Sequence, residues 1–288
     1  MRNSLSVAVI NTLSYLPLRM LYLVADGLLY PLTRYLIRYR RTVVENNLAL
    51  AFPEKSDEER LKMEKTFYHH LCDLLVEIIR MRRMSIDELQ RRFQWKNLDT
   101  VVQVCVSEKK TVMCYFAHYG QWEWAIGSMT PDQAVRPLYI YSKLHNDSLN
   151  RWMQDCRSRF GNTPVGMQDT SKTIGELQQK QTASIVIAIA DQLPKEQYVR
   201  HFHRFMGIKT KVLTGTEQLI RKYDMNVFYC RVERIKRGYY TCTAERMTAA
   251  EASSSHDWPY TDAYFDRLQQ QVYQRPELWL WSHNRWRR

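Results

Sequence analysis

The segment Ala117-His118-Tyr119-Gly120-Gln121-Trp122-Glu123 places an imidazole five positions before a carboxylate. A histidine held by a carboxylate can take a proton from a hydroxyl at neutral pH. His118 therefore reads as a general base, and Glu123 as the group that fixes its tautomer and stabilises the imidazolium. Residues five apart on one ideal helix are turned by roughly 140° and share no face. The pair works only if His118 lies on a loop and Glu123 lies in the first turns of the helix that follows. Gly120, between them, tolerates the backbone angles of such a turn. The turn would also leave N–H groups at the helix start, where an oxyanion could be stabilised.

The elements around this segment alternate. Apolar, strand-like runs cover 111–116, 134–141, 183–189, 226–233 and 239–244, and helical periodicity covers 121–128, 145–160, 171–180 and 212–223. The alternation predicts an α/β fold whose mixed, mostly parallel sheet is flanked by helices on both sides. The last two strands, turning near Lys236-Arg237-Gly238, form the expected antiparallel hairpin. Upstream, Ser56-Asp57-Glu58-Glu59 reads as a capping box. It opens a long helix with an apolar stripe of Leu61, Phe67, Leu71, Leu74, Leu75 and Ile78. His69 and His70 are adjacent on that helix, point in different directions and do not suit a shared metal. The small, polar stretch 249–256 reads as a loop.

A chain of 288 residues, 45% of them apolar, can bury a substantial core. Its formal net charge of +12 calls for an anionic partner: a nucleic acid, an anionic membrane or an acidic protein. No helix-turn-helix, RNA-recognition or zinc pattern is visible, which argues against nucleic acid. The six cysteines form no C-x-x-C pair and read as buried free thiols. No cleavable signal peptide stands out. Residues 13–37 are apolar and Tyr-rich but are interrupted by Arg19, Asp26, Pro31 and Arg34, so no clean run of about 20 apolar residues exists. Two readings stand for residues 1–44. One is an amphipathic membrane anchor whose basic end (Arg34, Arg38, Arg40, Arg41) meets anionic headgroups. The other is a helical hairpin packed on the core of a domain spanning 45–288.

Further motifs follow in order. Arg136-Pro137-Leu138-Tyr139 precedes Ser142-Lys143, and Arg157-Ser158-Arg159-Phe160-Gly161 ends a helix. Asp191-Gln192 ends the apolar strand, and Phe205-Met206-Gly207 follows. The C-terminus reads Pro276-Glu277-Leu278-Trp279-Leu280-Trp281-Ser282-His283-Asn284-Arg285-Trp286. With Asn46-Asn47-Leu48 and Ala51-Phe52-Pro53 upstream, this series resembles the lipid A biosynthesis (Kdo2-lipid A) acyltransferases, a branch of the lysophospholipid acyltransferase superfamily. The wider superfamily has Asp where this chain has Glu123, and Met206 stands where the branch has an aromatic residue.

The resemblance implies an O-acyltransferase that moves a fatty acyl chain from acyl-acyl carrier protein to a hydroxyl of a lipid A precursor, with His118 as base and Glu123 as its orienter. It implies no metal and no bound organic cofactor; the acyl carrier protein thioester is a co-substrate. The implied setting is the cytoplasmic face of the bacterial inner membrane, peripheral or single-pass. Another lysolipid or an amino-acid lipid remains open as acceptor, as does a thioesterase using the same base. Arg157 and Arg159 are candidates for a phosphate on the acceptor or on phosphopantetheine, since guanidinium binds phosphate in a bidentate way; the alternative is a solvated helix end. Arg136 joins them as a substrate-binding candidate. Asp191 and Gln192, at a strand end, suit a structural or acceptor-positioning role. The run Lys195, Arg200, His201, His203 and Arg204 suits an acidic carrier protein or lipid phosphates, or else a solvated loop. Trp279, Trp281 and Trp286 suit a membrane interface or a packed core.

Overall fold

The computed structural model of the protein describes residues 2–129, 135–144, 146–249 and 257–287. Most of the loop expected over 249–256 lies outside these, as do Ala134 and His145 from the expected strand and helix starts. A seven-stranded sheet forms the centre, in the order β1 (Phe93–Lys96), β9 (Tyr239–Met247), β8 (Asn226–Lys236), β2 (Thr111–Phe116), β5 (Ser184–Ile189), β3 (Arg136–Tyr141) and β4 (Thr163–Gly166). All neighbours run parallel except the β8–β9 hairpin. The central strand β2 is buried along its whole length, as a strand covered on both faces must be. The α/β class and the mixed, mostly parallel sheet thus agree with the sequence pattern.

Helices α5 (Ile86–Arg92), α6 (Leu98–Ser107), α7 (Trp122–Ser128), α8 (Asp147–Ser158), α9 (Thr170–Gln179), α10 (Gly215–Lys222) and α11 (Pro259–Gln274) flank the strands. The edge strands β1 and β4 were not expected; each is only four residues long, too short for an alternating pattern to register. A second, two-stranded sheet, β6 (His201–Phe205) with β7 (Ile208–Val212), was also unforeseen. Its inward positions carry histidines, so polarity masked the strand.

The capping box at Ser56 is present, and it opens α4 (Asp57–Met81). Phe67, Leu71 and Leu74 of the expected stripe are buried, whereas Leu61 and Leu75 are exposed. His70 is buried while His69 stacks on Tyr30, so the two histidines do diverge. Before α4 the chain forms α1 (Arg2–Leu13), α2 (Leu18–Val24), two π-helical turns (Ala25–Leu29 and Leu32–Leu36) and α3 (Arg41–Ala51). Among the described residues, no helix is long and apolar enough to cross a membrane. Leu18, Leu21 and Ala25 join the main core. Arg34 pairs with Glu64 at 2.8 Å, both side chains buried, and Arg237 bridges Asp26 and Asp73. The six cysteines are free and buried.

Candidate active site

Strands β2 and β5 are parallel neighbours in a register that pairs Phe116 with Ile189. His118 and Asp191 each lie two residues beyond that pair, so the two strand ends deliver them side by side. The site thus forms at the carboxyl edge of the sheet, where α/β folds place their ligands. His118 Nδ1 lies 2.7 Å from Asp191 Oδ1, and the His118 backbone N–H donates to Asp191 Oδ2 at 3.1 Å. The indole N–H of Trp279 donates to the same Oδ2 at 2.8 Å. Burial alone would raise the Asp191 pKa, but the charge of His118 and these hydrogen bonds hold it below the usual carboxylate range. An ionised Asp191 accepting from Nδ1–H leaves Nε2 with a lone pair. Gln192 Nε2 faces that nitrogen at 3.3 Å, and the indole of Trp122 packs edge-on to the ring.

Glu123 does not make the orienting bond expected of it. It occupies the first turn of α7, and its carboxylate receives Arg157 Nε at 2.7 Å and Nη2 at 2.5 Å, with Trp122 Nε1 at 3.2 Å. Burial pushes its pKa up, and the guanidinium of Arg157 and the charge of His118 more than reverse that. Glu123 is near enough to feel His118 electrostatically, yet the carboxylate hydrogen-bonded to the imidazole is Asp191.

Arg157 is therefore engaged in an internal bidentate pair through Nε and Nη2. Arg159 donates to the carbonyls of Met81 and Met84 and so caps the end of α4, away from the imidazole. Arg136 pairs in register with Ser184, at the amino edge of the sheet. Asp191 follows seven residues after Ser184, about 20 Å along the strand. The structure thus unites His118, Glu123, Arg157, Asp191 and Gln192, and separates Arg159 and Arg136 from them.

The loop between β2 and α7 is pinned from several sides. Gly120 has φ +60°, and a Cβ there would lie 2.9 Å from Val232 Cγ1. The Gly120 N–H donates to the Leu278 carbonyl, and Leu280 N–H donates to the His118 carbonyl. Gln121 Nε2 donates to Glu77 at 2.7 Å, a fully buried carboxylate that also accepts from Tyr22 and Tyr240. Burial raises the Glu77 pKa to about 7, against the hydrogen bonds from Tyr22, Gln121 and Tyr240. Trp279 and Trp281 are buried core residues, as one of the two readings held, but the bond from Trp279 to Asp191 was not legible in the sequence. His283 is kept neutral behind the site, its pKa pushed by burial to about 4. No group of metal-ligating side chains occurs among the described residues.

The sequence model of the bacterial lipid A biosynthesis acyltransferases matches residues 1–288, the whole chain. This chain belongs to that family. The lipid A biosynthesis palmitoleoyltransferase of Escherichia coli (strain K12) is 22% identical over 261 residues, covering 89% of this chain and 81% of that protein. The lipid A biosynthesis acyltransferase of Shigella flexneri matches with the same identity and coverage. As a member of the family the protein is an acyltransferase, and the histidine–carboxylate pair at the sheet edge is its candidate centre.

Proposed function

We propose that the protein transfers a fatty acyl chain from acyl-acyl carrier protein to a free hydroxyl of a lipid A precursor. The observation that carries this reading is the His118–Asp191 pair with Nε2 of the imidazole left as an acceptor, in a chain of this family. Nε2 takes the hydroxyl proton as the acceptor oxygen attacks the thioester carbonyl. The tetrahedral intermediate collapses with a C–O bond formed and the C–S bond broken. The proton then passes from the imidazolium to the leaving thiolate, which returns as the carrier thiol. Asp191 fixes the Nδ1–H tautomer and stabilises the imidazolium. The Glu123–Arg157 pair, directly beside the imidazole, anchors the start of α7 and holds the loop that carries His118.

The setting we propose is the cytoplasmic face of the inner membrane. Leu23, Leu28, Tyr35, Leu36 and Ile37 are exposed on the N-terminal helices, next to exposed Arg38 and Arg40. Apolar side chains flanked by arginines suit the interface of an anionic bilayer. The test is direct: purified protein, acyl-acyl carrier protein and a lipid A precursor are combined, and the products are weighed by mass spectrometry. The expected result is a precursor heavier by one acyl group, absent with His118→Ala. Release of free fatty acid at the same rate with and without acceptor would assign a thioesterase instead.

A further inference from the structure

The β6–β7 hairpin begins at His201, nine residues after Gln192, and its construction is unusual. Its inward face is fixed. His201 and His203 both reach Asp262 Oδ1, at 2.7 and 3.0 Å, and His203 also reaches Asp266 at 3.0 Å. Phe205 packs edge-on to Trp279 at 5.5 Å, the same indole that bonds Asp191. The hairpin is therefore seated against the indole that holds Asp191.

The outward face alternates with this one and is cationic. The register sets Phe202 opposite Lys211 and Arg204 opposite Lys209. Like charges directly opposite on one sheet face destabilise it, so Arg204 and Lys209 weaken the hairpin that bears them. Arg204 donates to the Gly207 carbonyl and Lys209 lies over the Phe202 ring; among the described residues no carboxylate pairs with either. Lys195 and Arg200, in the connection from the site, are exposed and likewise have no carboxylate among the described residues. Lys211 is neutralised by Glu196 at 2.6 Å. Phe202 is 45% exposed and Tyr198 54%.

We propose that this face is the docking surface for the acidic carrier protein that presents the acyl thioester; the inference rests on the donor proposed above. An acidic partner helix would relieve the Arg204–Lys209 repulsion, and Phe202 and Tyr198 would supply the apolar contact at its centre. A bilayer is the weaker fit. The aliphatic side chains that would insert beside aromatic ones are exposed on the N-terminal helices, whereas the outward positions of this hairpin are Phe202, Arg204, Lys209 and Lys211.

The test is the double variant Arg204→Glu/Lys209→Glu in the full chain, assayed with acyl-acyl carrier protein and with the same acyl group on free pantetheine. The KM ratio of carrier thioester to acyl-pantetheine should rise about tenfold, and the difference should shrink with added salt. Lys195→Glu/Arg200→Glu, outside the strands, gives a second reading should the first variant fold poorly. An acidic-to-lysine change on the carrier should restore part of the loss. An unchanged ratio overturns the docking face, as does an equal loss with both donors. Loss of binding to phosphatidylglycerol vesicles with the ratio unchanged would assign the face to lipid and overturn it too. Wild-type protein inactive with both thioesters would instead sink the thioester donor itself, and with it this surface.

Discussion

Replacing Asp191 by Asn separates the two carboxylates that could serve His118. Asp191 is 2% exposed and accepts from the imidazole at 2.7 Å, from the His118 backbone and from Trp279. The amide keeps the shape and removes the charge. One charge-assisted hydrogen bond, about 1.5–3 kcal/mol, is lost from the imidazolium-like transition state. The amide can also present its NH2 group to Nδ1, which favours the tautomer protonated at Nε2 and removes the base. Together these are on the order of 3–5 kcal/mol, or roughly 10²–10⁴ in kcat. The assay is steady-state transfer from acyl-acyl carrier protein, paired with a thermal melt of each variant. Glu123→Gln is the contrast. It leaves the part-buried Arg157 without its carboxylate, which should lower stability by about 2–3 kcal/mol. The reasoning is refuted if Asp191→Asn keeps kcat within about fivefold of wild type while Glu123→Gln loses about a hundredfold with an unshifted melt.

Gly120→Ala should lower both the melting temperature and kcat, because φ +60° disfavours any side chain and the new Cβ meets Val232; about 1–2 kcal/mol is expected in urea unfolding. Arg159→Ala should lower stability by about 1–2 kcal/mol, through the lost cap on α4, without raising KM for a phosphorylated acceptor. A raised KM at unchanged stability would return Arg159 to the substrate. His203 is held protonated by Asp262 and Asp266 against the effect of burial, with its pKa raised to about 9. A raised folded-state pKa contributes stability that is complete below the unfolded value of 6.5 and is lost as pH climbs through about 9. Melts across that window should show a decline of roughly 1–2 kcal/mol after solvent screening, which His203→Gln removes.

The central strands were legible because β2 and β5 are unbroken apolar runs, and the capping box announced α4. His118, Asp191 and Gln192 could each be picked out at strand ends. Their partnership could not, since it depends on two strands pairing across 73 positions of sequence in one register. The short spacing from His118 to Glu123 drew attention to Glu123, whereas the carboxylate bonded to the imidazole is that of Asp191. What decided the matter was Arg157, arriving from α8 to occupy both oxygens of Glu123. Arg136 and Arg159 stood close to motif positions, but only the sheet direction shows that one lies at the far edge, and only the end of α4 explains the other. The β6–β7 hairpin went unseen because its inward side chains are histidines satisfied by Asp262 and Asp266 on α11, a pairing no local pattern reveals.

The most direct test of the central claim is mass spectrometry of lipid A from cells lacking this protein, complemented with wild type, His118→Ala or Asp191→Asn. The account predicts lipid A short of one acyl chain in the deletion, restored by wild type and by neither variant. Lipid A unchanged by the deletion, or restored by both variants, would contradict it.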